Sequence, residues 1–320
     1  NMDLITVEIE AVNTEALFKL VEEGREVYPQ PHLIELIKDK GNQKSWYLDH
    51  GLPTARFQLF DNAQAVRESI KAGQWNIPFV QKSRRDGYDG QGVFVVRSES
   101  DLDHLLDVPS LIEELADIDK ELSVIVARNV SGEVKSFPVV EMEFHPTANL
   151  VEFLFSPSTV SHSKQEEATR IAETIAEKMK IVGLVAVELF LNKDGSIWIN
   201  EVAPRPHNSG HQTIEGNVTS QYAQHLRAIV DMPLGDTSRR GASVMVNLLG
   251  EEGCEGQVHY YGLDRALALS GANIHLYGKS ISKPYRKMGH VTVVDASLDS
   301  AIAKAQEIKK ILKVTTKSNV

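Results

Sequence analysis

Polar and apolar residues alternate through Asp3-Leu4-Ile5-Thr6-Val7-Glu8-Ile9-Glu10, the period of a half-buried strand. The spacing then lengthens to that of a helix over 16–23, with Asn13-Thr14-Glu15 as its cap and Gly24 as its stop. Glu26-Val27-Tyr28 predicts a second short strand, Pro31 opens a helix over 32–39, and a third helix runs over 42–50 to Gly51. Strand–helix–strand–helix is the rhythm of an α/β sheet.

Leu52-Pro53-Thr54 marks a boundary, followed by a helix over 63–72 and a strand over 77–82. A Gly-rich loop separates that strand from another over 93–97, and a helix over 100–106 leads to the turn at Pro109. Strands dominate 121–155. A long helix over 164–179 precedes strands over 184–191 and 196–202. An irregular Pro/His/Asn-rich segment, 203–211, joins a helix over 220–230, and Pro233-Leu234-Gly235 predicts a further boundary. The remainder alternates short strands with helices over 263–270 and 298–312. Neither an internal repeat nor a low-complexity tract is present.

Composition adds limits. A chain of 320 residues suggests two or three domains with ample core. The longest apolar stretch, 181–191, is short and carries Glu188, so no membrane helix is predicted, and no signal peptide is visible. A net charge of −10 argues against a nucleic-acid partner. The single cysteine, Cys254, excludes an internal disulfide and fits a reducing, cytoplasmic setting.

Four groups of residues carry chemistry. The first is the loop Arg84-Arg85-Asp86-Gly87-Tyr88-Asp89-Gly90-Gln91-Gly92, preceded by Lys82. Its glycines allow backbone N–H groups to approach a polyphosphate. It lacks the Gly-Lys-Ser/Thr ending of a Walker loop and leads into a strand where a dinucleotide fingerprint needs a helix. A plain hairpin turn is the bland alternative; the basic residues ahead of the glycines favour phosphate. The second is Glu188 and Glu201, on strands joined by Lys193-Asp194-Gly195-Ser196. In an antiparallel hairpin of uniform register they face each other, which is costly without a cation between them. Mg²⁺ fits, since it binds through one or two carboxylates plus substrate phosphates, and Asn200 adds an oxygen. Two solvated edge carboxylates would be the alternative, but the flanking residues are strongly apolar.

The third group is Ala203-Pro204-Arg205-Pro206-His207-Asn208-Ser209-Gly210-His211. Two prolines fix an irregular path directly after the carboxylate strand, where binding and catalytic residues concentrate. The spacing matches no zinc motif. The fourth is the basic cluster Lys279, Lys283, Arg286 and Lys287, a candidate anion site in an acidic chain, although a solvated basic turn would look the same.

Together these stretches resemble the ATP-grasp superfamily and, more narrowly, the 5-(carboxyamino)imidazole ribonucleotide synthetase family, the ATP-dependent carboxylases of purine biosynthesis. The likeness runs over essentially the whole chain, and its most specific element is Arg205-Pro206-His207-Asn208-Ser209-Gly210-His211. It implies an α/β fold, α+β within the grasp lobes. The expected divisions are a pre-grasp remnant at 1–56, a small ATP lobe at 57–118, a large lobe at 119–235 and a small C-terminal domain at 236–320. For ATP it implies Lys40, Lys82, Gly87, Tyr88, Asp89, Gly90, Gln91 and Gly92 at the phosphates. Glu113, Glu114, Leu115 and Ala116 would form an adenine-reading hinge, with Glu121 at the ribose and Asn200 and Glu201 near the metal. Many relatives have Arg where Lys40 stands, so charge survives here without the bidentate fork. For the metal it implies Glu188, Glu201 and Asn200 around Mg²⁺, with Mn²⁺ as the alternative. For aminoimidazole ribonucleotide and bicarbonate it implies Glu8 or Glu10, Tyr88, Arg205, His207, Asn208, Lys279, Arg286 and Lys287. Arg205 would stabilise carboxyphosphate, and His207 and Asp89 are both candidates for handling the amine proton. A homodimer is a further family expectation.

The competing readings are another ATP-grasp ligase, such as formate-dependent glycinamide ribonucleotide transformylase or a biotin carboxylase, and a non-catalytic nucleotide-binding module. The former lack the Arg-Pro-His-Asn-Ser-Gly-His run, and intact Lys82, Glu188, Asn200 and Glu201 argue against the latter. Because a doubly wound domain normally has further strand–helix units before a strand like 4–9, the sequence is also expected to be N-terminally incomplete. Bare apolar surface is then expected on 1–56.

Overall fold

The computed structural model describes residues 2–85, 87, 92–146 and 148–317. Its first segment holds β1 (Leu4–Thr6), α1 (Thr14–Glu22), β2 (Glu26–Tyr28), α2 (Pro31–Lys38) and α3 (Lys40–Asp49). The strand expected over 3–10 is cut to three residues, and among the described residues β1 pairs in parallel with β2 alone. Helix α3 starts two residues earlier than the apolar spacing suggests, because Asp39 caps it by accepting from Gly41 N–H and Asn42 N–H.

A second unit contains β3 (Phe57–Phe60), α4 (Ala63–Lys71), β4 (Phe79–Ser83), β5 (Val93–Val96) and β6 (Ser110–Glu114). Among the described residues these strands form one antiparallel sheet in the order β3-β6-β4-β5. Strand β3 was not predicted, and the helix expected over 100–106 is a 3₁₀ turn at Glu99–His104. Phe60, Val66, Trp75, Phe79 and Ile112 give this lobe its own core.

The third unit begins with β7 (Ile118–Arg128), β8 (Val134–Ser136), β9 (Val140–Phe144), β10 (Val151–Ser156) and α5 (His162–Met179). It continues through β11 (Gly183–Asn192), β12 (Ile197–Ala203), α6 (Thr213–Gly216) and α7 (Gln221–Ile229). Beyond lie β13 (Ala242–Leu249), β14 (Gly256–Tyr261), α8 (Leu263–Leu267), β15 (Ala272–Leu276), β16 (Ile281–Ser282), β17 (Lys287–Asp295), α9 (Leu298–Ile311) and β18 (Lys313–Thr316).

Packing continues across two of the expected boundaries. The main sheet runs β12-β11-β7-β9-β10-β13-β17-β15, so it crosses 235/236 without interruption. Pro233-Leu234-Gly235 turns the chain there, but β13 still finds its partner in β10, from Phe153 opposite Val246 to Ser156 opposite Ser243. Residues 1–56 have a small core of their own, with Leu17, Val27 and Ile34 packed together, and are also joined to the large lobe. Leu33 and Ile37 of α2 and Tyr47 of α3 share one core with Val124 of β7, Val187 of β11 and Ala172 of α5. Burial of such side chains at roughly 1.5–3 kcal/mol each fixes α3 onto the large lobe. Its N-terminus then points at the cleft between the two sheets, and that is where the site lies.

Candidate active site

The β11–β12 hairpin sets the carboxylates. From the turn outward, Leu191 faces Ile197, Phe190 faces Trp198 and Leu189 faces Ile199. Continued unchanged, that register would set Glu188 against Asn200. A bulge intervenes, and Glu188 pairs with Glu201 instead. The expected pair is therefore present, but through an irregularity rather than a uniform ladder. Asn200, the extra residue, accepts a hydrogen bond from Lys82 Nζ at 2.8 Å.

The two carboxylates are not equivalent. Burial works against charge on both. On Glu201 it is outweighed by Lys40, whose ammonium contacts the carboxylate directly, with Lys82 adding to the effect. Glu201 is thus held ionised. On Glu188 burial is joined by the charges of Glu201 and Glu121, so its carboxyl is pushed up. Glu121, opposite Phe190 on β7, is raised to about 7 by burial, with Lys82 opposing. Among the described residues no three His, Cys, Asp or Glu side chains converge as a metal cage. Two facing carboxylates with an adjacent amide oxygen instead suit a hard cation that takes its other oxygens from a substrate.

The small lobe supplies Lys82 from β4. Its ammonium also contacts Glu113 of β6, and Lys44 of α3 approaches the other oxygen of that carboxylate at 2.7 Å as an ion pair rather than an aligned hydrogen bond. Burial disfavours the Glu113 charge, yet Lys82 and Lys44 together hold its carboxyl at about 2. The side chain of Glu113 is therefore committed to two lysines, and its backbone sits in the ladder between β3 and β4. Glu114 is still within β6. Of the expected hinge, Leu115 and Ala116 lie beyond the ladder, both half-buried, in the short connection to β7. Lys44 escaped the sequence reading, although it stands four residues after Lys40 on one helix face.

The basic residues ahead of the glycines do something other than expected. Arg84 makes a two-pronged contact with Asp39 through Nε at 2.9 Å and Nη2 at 2.8 Å, and Arg85 Nη2 donates to Glu35 at 2.7 Å. They anchor the loop's stem and do not serve as free cations for phosphate. Gly87 and Gly92 are described; Tyr88, Asp89, Gly90 and Gln91 lie outside the described residues.

The segment after β12 folds over the carboxylates. Arg205 Nε approaches Glu10 at 2.7 Å, and its Nη1 donates to Pro206 O at 2.9 Å. Glu8 is exposed. His207 Nε2 stands 3.5 Å from Glu188. Burial, reinforced by Arg205 and Lys287, lowers this imidazole to about 3, so it is neutral near pH 7. Its Nδ1 accepts from Ser209 N–H at 3.3 Å and lies 2.9 Å from Ser209 Oγ, which assigns the proton to Nε2, on the Glu188 side. Asn208 does not point an open amide at a substrate. It exchanges hydrogen bonds with Asn247 of β13, at 2.9 and 3.0 Å. Gln221, at the start of α7, takes both main-chain groups of His207, accepting from N–H at 2.8 Å and donating to C=O at 2.9 Å. A Cβ on Gly210 would lie 2.4 Å from Gln221 Oε1, so only glycine permits this approach. Asn247 left no sequence signal, and Gln221 stood out only as part of Thr219-Ser220-Gln221, a weaker element of the family resemblance, since the contacts of both depend on chain segments that meet only in the fold.

His211 stacks on His290, and His290 on His275, with ring centroids 4.8 and 4.5 Å apart. Of the basic cluster, Lys279 Nζ donates to Lys287 O at 2.8 Å, and Arg286, exposed, donates to Ile281 O at 2.7 Å. Lys287 lies close enough to act electrostatically on Glu188, His207 and His211.

Comparison with known proteins places this geometry. A profile described as the ATP-grasp domain matches residues 45–222, and one described as the phosphoribosylaminoimidazole carboxylase C-terminal domain matches 243–304. The chain is 40% identical over 316 residues to an N5-carboxyaminoimidazole ribonucleotide synthase of Synechococcus elongatus, covering 97% of this chain and 78% of that protein. It is 40% identical over 309 residues to the chloroplastic phosphoribosylaminoimidazole carboxylase of Vigna aconitifolia, covering 93% of this chain and 54%, about half, of that longer protein. The crystal structure of N5-carboxyaminoimidazole ribonucleotide synthetase from Thermotoga maritima superposes with a TM-score of 0.89 at 41% identity, covering 98% of this chain and 82% of that one. The Aspergillus clavatus N5-carboxyaminoimidazole synthase in complex with ADP and 5-aminoimidazole ribonucleotide gives a TM-score of 0.87 at 33% identity, covering 96% of this chain and 81% of that one.

Proposed function

Because the chain belongs to the N5-carboxyaminoimidazole ribonucleotide synthase family of ATP-grasp ligases, we propose that it uses ATP and bicarbonate to carboxylate 5-aminoimidazole ribonucleotide on its exocyclic amine. The observation that carries this reading is the meeting, in one cleft, of Glu201 with Lys40, Asn200 with Lys82, and Glu188 with His207. The first two contacts suit a metal–triphosphate, and the third joins that centre to the Arg205–His211 segment.

In this reading a bicarbonate oxygen attacks the γ-phosphorus of ATP. The bond to the β–γ bridging oxygen breaks, ADP leaves and carboxyphosphate forms. The ribonucleotide amine then bonds to the carboxyl carbon, either directly as the C–O bond to phosphate breaks or after that bond has broken to release CO₂, and the nitrogen loses one proton. Lys40 and Lys82 would carry the phosphate charge, with adenine against the main chain of Leu115 and Ala116 and the ribose near Glu121. Glu188, Glu201 and Asn200 would hold Mg²⁺ or Mn²⁺, which when bound neutralises charge on the phosphates. The fit is supported by the facing carboxylates, whose repulsion a cation relieves, and by the Lys40 ammonium already seated against one of them.

Arg205 would stabilise the carboxyphosphate dianion. Neutral His207, with its proton assigned to Nε2, would offer an N–H donor toward the reacting groups. Asp89 remains the other candidate for the amine proton. A homodimer is the family expectation that accompanies this reading, and the single cysteine fits a cytoplasmic setting.

The deciding assay is ADP release that requires both bicarbonate and 5-aminoimidazole ribonucleotide. ADP release that instead requires formate with glycinamide ribonucleotide, or bicarbonate with biotin, would assign another ligase, and none at all would favour a binding module. Arg286→Ala is expected to raise the KM for the ribonucleotide roughly 10-fold or more, as loss of a charged hydrogen bond to a phosphate would, with the KM for ATP nearly unchanged. Equal effects on both substrates would remove Arg286 from the ribonucleotide site.

A further inference from the structure

Asp39 lies at the junction of α2 and α3, only 4% exposed, and does three things at once. Its Oδ1 caps α3 through Gly41 N–H and Asn42 N–H at 2.9 and 3.1 Å. The same oxygen and Oδ2 receive the Arg84 guanidinium in a two-pronged contact, and Arg85 Nε lies 3.5 Å from Oδ2. The backbone closes the arrangement. Lys40 N–H donates to Arg84 O at 2.8 Å, and Arg84 N–H donates to Pro109 O at 3.0 Å. A Cβ on Gly41 would stand 2.9 Å from Arg84 Nε and 2.9 Å from Leu59 Cδ2, so the helix end and the strand end approach as closely as a glycine allows.

These contacts cross the cleft. Helix α3 belongs to the large-lobe core through Tyr47, whereas Arg84 directly follows β4 of the small lobe. On one side the next residue is Lys40, whose ammonium contacts Glu201. On the other, two residues back, is Lys82, hydrogen-bonded to Asn200. The two lysines therefore sit at either end of one buried ionic joint. A planar guanidinium fork fixes angle as well as distance, which a point charge does not.

We propose that Asp39 and Arg84 are positioning residues for ATP: their ion pair sets the separation of Lys40 and Lys82, and so the width of the phosphate site. The proposal rests on the ATP-grasp reading of the cleft and goes beyond it, since neither side chain is placed against the nucleotide itself. Two variants isolate the joint. Asp39→Asn keeps the capping oxygen but removes the charge. Arg84→Lys keeps the charge but removes the fork, at a side chain that is partly exposed.

The test is ADP affinity in the presence of Mg²⁺, by calorimetry, beside the KM for the ribonucleotide and the melting temperature. Each single variant should weaken ADP binding at least fivefold while the ribonucleotide KM stays within twofold. The double variant should be no weaker than the worse single, because the two act as one unit. ADP affinity within twofold of the parent in Arg84→Lys would overturn the proposal, whatever happens to melting temperature and even if Asp39→Asn does not fold. So would multiplying losses in the double variant. ADP affinity is measured without carboxylation, so a chain that binds ADP but does not carboxylate would sink the substrate assignment and leave this one standing.

Discussion

Glu201→Gln is expected to cut turnover of ATP by roughly 100- to 1,000-fold, the usual loss when one group that stabilises transition-state charge is removed, while folding stability stays within about 1 kcal/mol of the parent. The two halves of this expectation have separate causes. Glu201 is the ionised member of the facing pair, and the one that Lys40 touches. A neutral amide there cannot anchor a hard cation as a carboxylate does. Stability is spared because the substitution also relieves a repulsion. Glu188 is pushed up partly by the charge of Glu201, and Lys40 already acts on Glu188 in the opposite sense. With Gln at 201, Glu188 ionises more readily and inherits the ammonium. Steady-state ADP release and urea unfolding check the two halves. A variant with near-parental Mg²⁺-dependent turnover would remove Glu201 from the site.

What could be read from the sequence depended on whether a residue's partners were local. The hairpin at Lys193-Asp194-Gly195-Ser196 was legible because its turn and its apolar alternation are contiguous. The bulge at Asn200 was not, because the lysine that engages it lies 118 residues away in another lobe. Arg84 and Arg85 were misread for the same reason. Beside glycines they suggest phosphate, but the acids that neutralise them, Asp39 and Glu35, stand 45 and 50 residues earlier. Asn208 was legible as part of a polar segment, yet its amide is spent on Asn247. The turn at Pro233-Leu234-Gly235 correctly marks a change of chain direction. Turn residues report backbone geometry, however, and cannot say that β13 will rejoin the sheet the chain has just left. The facing glutamates, Lys82 and the Arg205–His211 segment were legible because their residue types are costly where the apolar pattern puts them.

Glu113→Gln should be the most destabilising single change at the site, by about 3–5 kcal/mol near neutral pH, the cost of stripping the partner from a buried charge. Glu113 is 4% exposed and serves two ammoniums, Lys44 and Lys82, of which Lys44 is itself almost fully buried. Burial already lowers Lys44, with Glu113 as the main opposing influence. An amide at 113 leaves both lysines facing a group that cannot neutralise them. The pH dependence supplies an independent check. The Glu113 carboxyl is held at about 2 in the folded chain against 4.5 for the free group. A carboxyl depressed by folding binds fewer protons in the native state, so its stabilisation is complete above the unfolded value and is lost as pH falls through the folded one. That linkage is worth about 3 kcal/mol at pH 7 and about 1 kcal/mol at pH 3. Urea unfolding of parent and variant at both values should therefore show a gap that narrows on acidification. A gap that is small at pH 7, or that does not change by pH 3, would mean that Lys44 and Lys82 find other acceptors and that Glu113 is not the hub of the cleft's charges.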